Sequence, residues 1–266
     1  MSYKNFISRF ILRKDFLKRV KMRLGNERRK LVKNEFDDLL FLYSTLGIKP
    51  EVIFDCGANI GFVSYQFHKR FPDAIIHAFE PNPDVFKKLT TNLAKEEAHI
   101  KKYNVGIGSR NDWMTFYKNN NTGTSSFLEP NEFHRAHMAR KYTKLEVPIV
   151  SITSFCEEHH IEHIGIVKLD IEGFEVEALK GSQQLLENNQ IDFLFIEVSL
   201  VPSYGGQPLI EDVIGYMRTY KYIPYNFYGI NETVLRESII TNILFMSEKV
   251  AHKIIEKFGK HAVYTT

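Results

Sequence analysis

Five short apolar runs, separated by stretches of helical character, constrain this chain more than any other feature. They are "VIFD" (52–55), "AIIHAFE" (74–80), "IKKYNV" (100–105), "GIVKLD" (165–170) and "DFLFIEV" (192–198). Apolar nearly throughout, each suits a strand buried on both faces, as in a parallel sheet. Helix-like segments at 62–71, 83–96, 154–160 and 175–188 fall between them, and Ser154 followed by Glu157 would form a capping box for the third. Such alternation predicts an α/β fold with a mostly parallel, doubly wound sheet. A helix near 209–219 and apolar runs at 221–228 and 240–246 add a closing antiparallel strand pair.

Charge is distributed unevenly along the chain. Residues 1–34 hold twelve Lys and Arg against Asp15 and Glu27, a net of +10, which leaves −7 for residues 35–266 of a chain at +3 overall. Phe6, Ile7, Phe10, Ile11, Leu17, Val20 and Leu24 recur there at helical intervals, so 1–34 reads as a basic amphipathic arm ahead of a single domain, 35–266. Such an arm suits peripheral contact with an anionic membrane surface, or packing on the body or a second subunit of a homo-oligomer. The acidic body argues against a nucleic-acid groove. No apolar run reaches the length of a membrane span, and Arg13 and Lys14 interrupt what a signal peptide would need. Cys56 and Cys156 stand far apart with no metal-ligand spacing, so the expected compartment is the reducing cytoplasm, with the arm at the inner membrane surface.

The stretch "FDCGANIGF" (54–62) follows the first predicted strand, where doubly wound folds bind ligands. Gly57 lets backbone approach a ligand, and Gly61 lets the next helix start tight against the sheet. Glu80 ends the second predicted strand 19 residues after Gly61, where an acid would bond the two hydroxyls of a ribose. A dinucleotide loop would place glycine where this chain has Asn59 and Phe62, and the Walker pattern is absent. The loop therefore suits a ribose-bearing cofactor without phosphate, and S-adenosylmethionine meets that description. Asp55 is then available for the amino-acid end of the cofactor, directly or through water.

Further motifs follow in order: "AFEPNPDVFKKLTTNL", "NVGIGS", "GTSSF", "IVKLDIEGFEVEALKG" and "FLFIEV". Together with "DCGANIGF" this run closely resembles the FkbM-family methyltransferases, a branch of the Rossmann-like S-adenosylmethionine-dependent enzymes, over roughly residues 50–200. The resemblance implies a class I methyltransferase fold and O-methylation of a hydroxyl on a sugar, glycan or natural-product scaffold. It places Asp55, Gly57, Asn59, Gly61 and Glu80 at the cofactor, with Asn104 and Val105 near its adenine, and Ser125 and Ser126 at the substrate. Two departures stand out. Ile152 and Thr153 replace a common Leu-Asp pair, with Thr153 still able to cap a helix, and Gly106 replaces a common Ala, which would widen the adenine side.

An alcohol must lose its proton as it is methylated, and a positioned base contributes about 10² to 10⁴ in rate. Asp170 and Glu172 follow the fourth predicted strand and Glu197 ends the fifth, so three carboxylates are expected on one rim, as proton acceptors and as counter-charge to a sulfonium. Glu172 alternatively serves as a first-turn helix acid. Lys168, inside its strand, needs an acidic partner. Asp170 and Glu172 show no third ligand in sequence, and no metal is expected. His134 and His137, three apart, read as surface residues that a helix could bring over the pocket. The rings of "YKYIPYNFYG" (220–229) read as core more readily than as a stacking platform. Two other classes fit less well: a non-catalytic cofactor-binding scaffold, and a nicotinamide-dependent oxidoreductase.

Overall fold

The computed structural model describes residues 35–119, 124–132, 141–229 and 240–258. The arm 1–34 and the pair His134 and His137 lie outside the described residues. In chain order the elements are α1 (Glu35–Leu46), β1 (Val52–Cys56), α2 (Phe62–Arg70), β2 (Ile75–Phe79), α3 (Pro83–Asn92), β3 (Ile100–Tyr103), β4 (Gly106–Ile107), β5 (Asp112–Asn119) and β6 (Tyr142–Val150). They continue with α4 (Ile152–Glu158), β7 (Ile164–Leu169), α5 (Glu175–Lys180), α6 (Gln183–Glu187), β8 (Ile191–Ser199), α7 (Ile210–Thr219), β9 (Ile223–Tyr228), β10 (Ile240–Met246) and α8 (Glu248–Phe258).

Residues 49–247 form one compact unit. Its main sheet has seven strands in the order β3-β2-β1-β7-β8-β10-β9. The first five are parallel, and β10 and β9 close the edge antiparallel, as the apolar runs at 221–228 and 240–246 predict. The fold is thus the expected mostly parallel α/β sheet. Its central strands earn their positions by composition: β7 is buried at every residue, and β1 at all but its first. Phe54, Phe79, Val167, Leu169, Leu194 and Ile196 join one apolar core with residues of the covering helices, such as Phe155, Leu179, Leu186 and Met217. Fully burying side chains of this size contributes about 1.5–3 kcal/mol each. In α1 and α8, which belong to a second unit, Leu39, Leu42 and Tyr43 of one helix and Val250, Ala251 and Ile254 of the other are buried.

Register decides where the polar residues meet. Asp55 on β1 lies directly beside Lys168 on β7, and Leu169 lies between Cys56 on β1 and Ile196 on β8, so Gly57, Asp170 and Glu197, one residue further on, come level with one another. Parallel strands also bring all their carboxyl ends to one rim.

Several boundaries differ from the sequence-based expectation. The third run stops at Tyr103, and Gly106–Ile107 instead joins a separate three-stranded sheet, β4-β6-β5. The β5–β6 ladder, Asp112↔Ile149 to Asn119↔Tyr142, carries no clean alternation of burial on β5, and that is why periodicity does not reveal it. The helix expected from Ser154 begins at Ile152, capped by Ser151, whose Oγ accepts from Ser154 N at 3.1 Å; neither Thr153 nor a Ser154–Glu157 box supplies the cap. The segment 83–96 is α3 plus a short 3₁₀ turn, and 175–188 breaks into α5 and α6 at Gly181, where a Cβ would sit 2.1 Å from Gly108 O. In 220–229, Tyr222 and Tyr225 are core residues, at 1% and 2% exposure.

Candidate active site

A cavity of about 340 Å³ opens at the carboxyl ends of β1, β2, β7 and β8. One wall is the loop 57–63. Gly57, Asn59 and Gly61 all take left-handed backbone, at φ 80°, 50° and 95°. Gly57 has no alternative: a Cβ there would lie 1.9 Å from Asp170 O. Gly61 is constrained from below, because a Cβ would meet Leu93 at 2.6 Å and Leu89 at 2.8 Å, so its absence lets α2 seat on the helix behind it. Asn at 59 is one of the few side chains that tolerates this region.

Glu80 joins that loop to the next one. Its Oε2 accepts from Asn59 N at 3.0 Å and its Oε1 from Asn82 N at 2.8 Å. Burial pushes its carboxyl up to about 7 against those two hydrogen bonds. A buried carboxylate that remains this uncomfortable is short of donors, and each of its oxygens keeps a further lone pair. The two vicinal hydroxyls of a ribose would supply what is missing, on the same side of the cavity as Val105 and Phe79. The ring of Phe62 stands at the first residue of α2, 65% exposed and lining the cavity, where a pyrophosphate would need helix N–H groups. The residues present therefore fit S-adenosylmethionine and do not fit a dinucleotide.

Beside the Gly57 turn lie Asp170, Glu172 and Glu197, which can bring one carboxylate oxygen each within 4.8 Å of the others. Lys168 is buried beneath them at 3% exposure, its Nζ 3.1 Å from Asp170 Oδ2, 3.4 Å from Asp55 Oδ1 and 3.5 Å from Gly57 O. Burial alone would pull this ammonium toward neutrality, but Asp170 and Asp55 outweigh it and hold it above its ordinary value. Glu197 is driven well up, first by burial and then by Asp170, Glu172 and Glu175, with Lys168 opposing. The rim is thus a crowded set of acids with one buried cation, and perturbed groups of this kind are concentrated at functional sites.

Of the residues the sequence singles out, Gly57, Asn59, Glu80, Val105, Ser125, Asp170, Glu172 and Glu197 line the cavity. Four do not. Asp55, expected at the cofactor's amino-acid end, is fully buried: its Oδ2 accepts from Ser64 Oγ at 2.6 Å and its Oδ1 faces Lys168, so it braces the floor beneath the loop. Gly61 shapes the helix start, as above. Asn104 donates from Nδ2 to Glu80 O at 2.8 Å and Pro81 O at 3.2 Å, clamping the loop that carries Glu80. Ser126, 1% exposed, turns inward and donates to Glu172 O at 2.7 Å. Gly106 opens no extra space, because the ring of Phe127 fills it: a Cβ would meet its Cζ at 2.4 Å.

Sequence reasoning missed Phe116 and Phe127 as cavity walls, and Glu175, whose Oε1 accepts from Ile171 N and Gly173 N and ties down the turn carrying Glu172. Phe127 and Glu175 both lie inside the quoted motifs, so the signal was there without a role. Among the described residues no helix is long and apolar enough to cross a membrane.

Comparison with known proteins follows the same lines. A model of the methyltransferase FkbM domain matches residues 55–224, more than half of the chain. The 2-O-methyltransferase NoeI of Sinorhizobium fredii is 24% identical over 196 residues, 70% of this chain and 79% of its own length. The 31-O-demethyl-FK506 methyltransferase FkbM of Streptomyces tacrolimicus is 28% identical, over 59% of this chain and 69% of its own. The hexuronic acid methyltransferase AglP of Haloferax volcanii is 27% identical over 56% of each chain, so this chain spans little more than half of that relative.

Proposed function

Since the chain belongs to the FkbM methyltransferase family and is an S-adenosylmethionine-dependent methyltransferase, we propose that it methylates a hydroxyl on a sugar, glycan or natural-product scaffold. The observation that carries this reading is one cavity lined both by a ribose-ready carboxylate, Glu80, and by three clustered acids. Relatives named for 2-O-methylation, for a hexuronic acid and for demethylated FK506 support a hydroxylated acceptor of this breadth.

In this reading Asn59 N and Asn82 N fix Glu80 so that its remaining lone pairs receive the ribose hydroxyls, while Val105 and Phe79 face the base. The bound cofactor supplies an electrophilic methyl group on a sulfonium. The chain's own contribution is placement and charge. Lys168 holds Asp170 and the Gly57 carbonyl together, so the glycine loop and the acidic rim keep one spacing. Ser125, Phe116 and Phe127 wall the acceptor side, offering one hydroxyl among rings suited to the faces of a sugar or polyketide. The acids orient the acceptor hydroxyl and take its proton, and positioning of this kind supplies much of the acceleration of an in-line displacement.

Calorimetry with S-adenosylmethionine and with NAD tests the cofactor half, and preference for NAD would end it. Methyl incorporation from labelled cofactor into a panel of hydroxylated sugars, lipid-linked glycans and their deoxy analogues tests the acceptor half; label appearing on nitrogen or carbon instead of oxygen refutes it. The arm 1–34 is assigned peripheral contact with anionic membrane, and equal flotation of liposomes with and without it removes that assignment.

A further inference from the structure

Glu172 stands in the left-handed region at φ 55°, and Gly173 follows at φ 96°. Glycine takes such a φ freely, but a glutamate persists there only when its surroundings hold it. Ser126 Oγ grips the Glu172 carbonyl at 2.7 Å, and Glu175 Oε1 accepts from Ile171 N at 3.0 Å and Gly173 N at 3.2 Å. Gln207 lies over Gly173, where a Cβ would meet its Cγ at 3.0 Å. The amide of Gln207 also fixes the segment after β8: Oε1 accepts from Ser203 N at 2.7 Å and Tyr204 N at 3.2 Å, and Nε2 donates to Ser199 Oγ at 2.8 Å.

What this segment delivers is Tyr204, 2% exposed, with its hydroxyl 3.1 Å from Glu172 Oε2 and 3.1 Å from Thr124 O. A phenol has one proton to give and lone pairs to receive. Ionised Glu172 accepts a hydrogen bond from the Tyr204 hydroxyl. Protonated Glu172 donates to the Tyr204 oxygen, which turns its own proton to the Thr124 carbonyl. Both charge states of the carboxylate are bonded without any heavy atom moving. Burial and the neighbouring Glu172 hold the phenol far above its ordinary value, so Tyr204 keeps its proton throughout.

We propose that Tyr204 is a positioning residue for methyl transfer, and that Glu172, rather than Asp170, receives the acceptor's proton. The proposal rests on the methyl-transfer reading of the cavity. Asp170 is committed to Lys168 at 3.1 Å, whereas Glu172 has a partner built to accommodate a proton. As the acceptor oxygen bonds the methyl carbon, the carbon–sulfur pair returns to sulfur. The O–H pair stays on oxygen, and the proton passes to Glu172. Among the described residues, the titratable groups set against Glu172 include Asp170 at the end of β7, Glu197 on β8 and Tyr204 after β8, while Lys168 on β7 and Glu175 on α5 stand against the same acidic rim.

The test is a carboxyl titration by NMR of protein labelled with ¹³C-glutamate, the Glu172 resonance assigned by its loss in Glu172→Gln, with and without S-adenosylhomocysteine. Tyr204→Phe removes a bond from both charge states of Glu172, and because the bond to the charged form is the stronger, the Glu172 midpoint should rise by about one pH unit, and the acid limb of kcat/KM should move the same way. A merely structural Tyr204 would lower activity evenly at all pH values. Gln207→Ala, which releases the segment without touching the ring, moves the midpoint in the same direction and serves if Tyr204→Phe does not fold. An unchanged midpoint in these variants overturns the proposal. Failure of S-adenosylhomocysteine to bind overturns the methyl-transfer reading itself, and the role of the pair falls with it.

Discussion

Glu80 makes cofactor binding a proton-linked event, and the size of the linkage follows from its surroundings. In the cofactor-free protein burial sets its carboxyl at about 7. Two ribose hydroxyls donating to it favour the ionised form, and a midpoint near ~5 in the complex is a reasonable magnitude for two added hydrogen bonds to a charged group. Affinity for S-adenosylmethionine should then rise about tenfold between pH 6 and pH 8, or about 1.4 kcal/mol, with about half a proton released per cofactor bound at pH 7. The sign for stability runs oppositely. A folded midpoint of about 7 against an ordinary value of 4.5 means that the native state holds the proton more tightly. The cofactor-free protein therefore loses about 3 kcal/mol from this group as pH rises from below 4.5 to above 7, and the cofactor restores much of it. Burial holds His77 down at about 4, so its contribution over the same range has the opposite sign, and Glu80→Gln is the comparison that isolates Glu80. Calorimetry in buffers of different ionisation enthalpy measures the released proton directly. Affinity independent of pH, with no proton released and no difference between wild type and Glu80→Gln, would refute the assignment of Glu80 to the ribose.

Gly57→Ala forces a methyl group to 1.9 Å from Asp170 O at a φ of 80°, and should cost at least about 3 kcal/mol, visible as a lower Tm and lost cofactor binding. Lys168→Met leaves Asp55 and Asp170 facing each other without their cation, a loss of about 3–5 kcal/mol by denaturant melts, while Lys168→Arg should lose less. Asp170→Asn should lower kcat about tenfold through misplacement of the rim, a smaller loss than Glu172→Gln at about 10² or more. Since Lys168 already answers the charge of Asp170, turnover should survive exhaustive chelation with EDTA, and abolition by EDTA with rescue by a divalent cation would show that a metal works at the rim.

Much of the site was legible because the parallel sheet makes it so. An apolar run of four to seven residues followed by a charged or glycine-bearing turn places that turn on the ligand-binding rim, and "VIFD", "AIIHAFE", "GIVKLD" and "DFLFIEV" each end that way. Glu80, Asp170, Glu172 and Glu197 could accordingly be placed together before any coordinates. The direction in which Asp55 points was not legible. An acid at a strand end reads the same in sequence whether it looks into the cavity or down into the floor, and it is the register of β1 against β7, with Lys168 alongside, that turns it inward.

Composition and periodicity by themselves determined the parallel sheet, the glycine loop suited to a phosphate-free nucleoside and the acidic rim, because burial on two faces and the need for backbone approach act on a few consecutive residues. Tertiary structure alone decided which acids are bonded to what. The separate β4-β6-β5 sheet carries Phe116 to the cavity, and the chain close to that sheet supplies Phe127 to it and holds the Glu172 carbonyl through Ser126. The segment after β8 brings Tyr204 to within 3.1 Å of Glu172 from 32 residues away. Contacts across such separations depend on how sheets and loops fold over one another, and no local pattern of side chains encodes that.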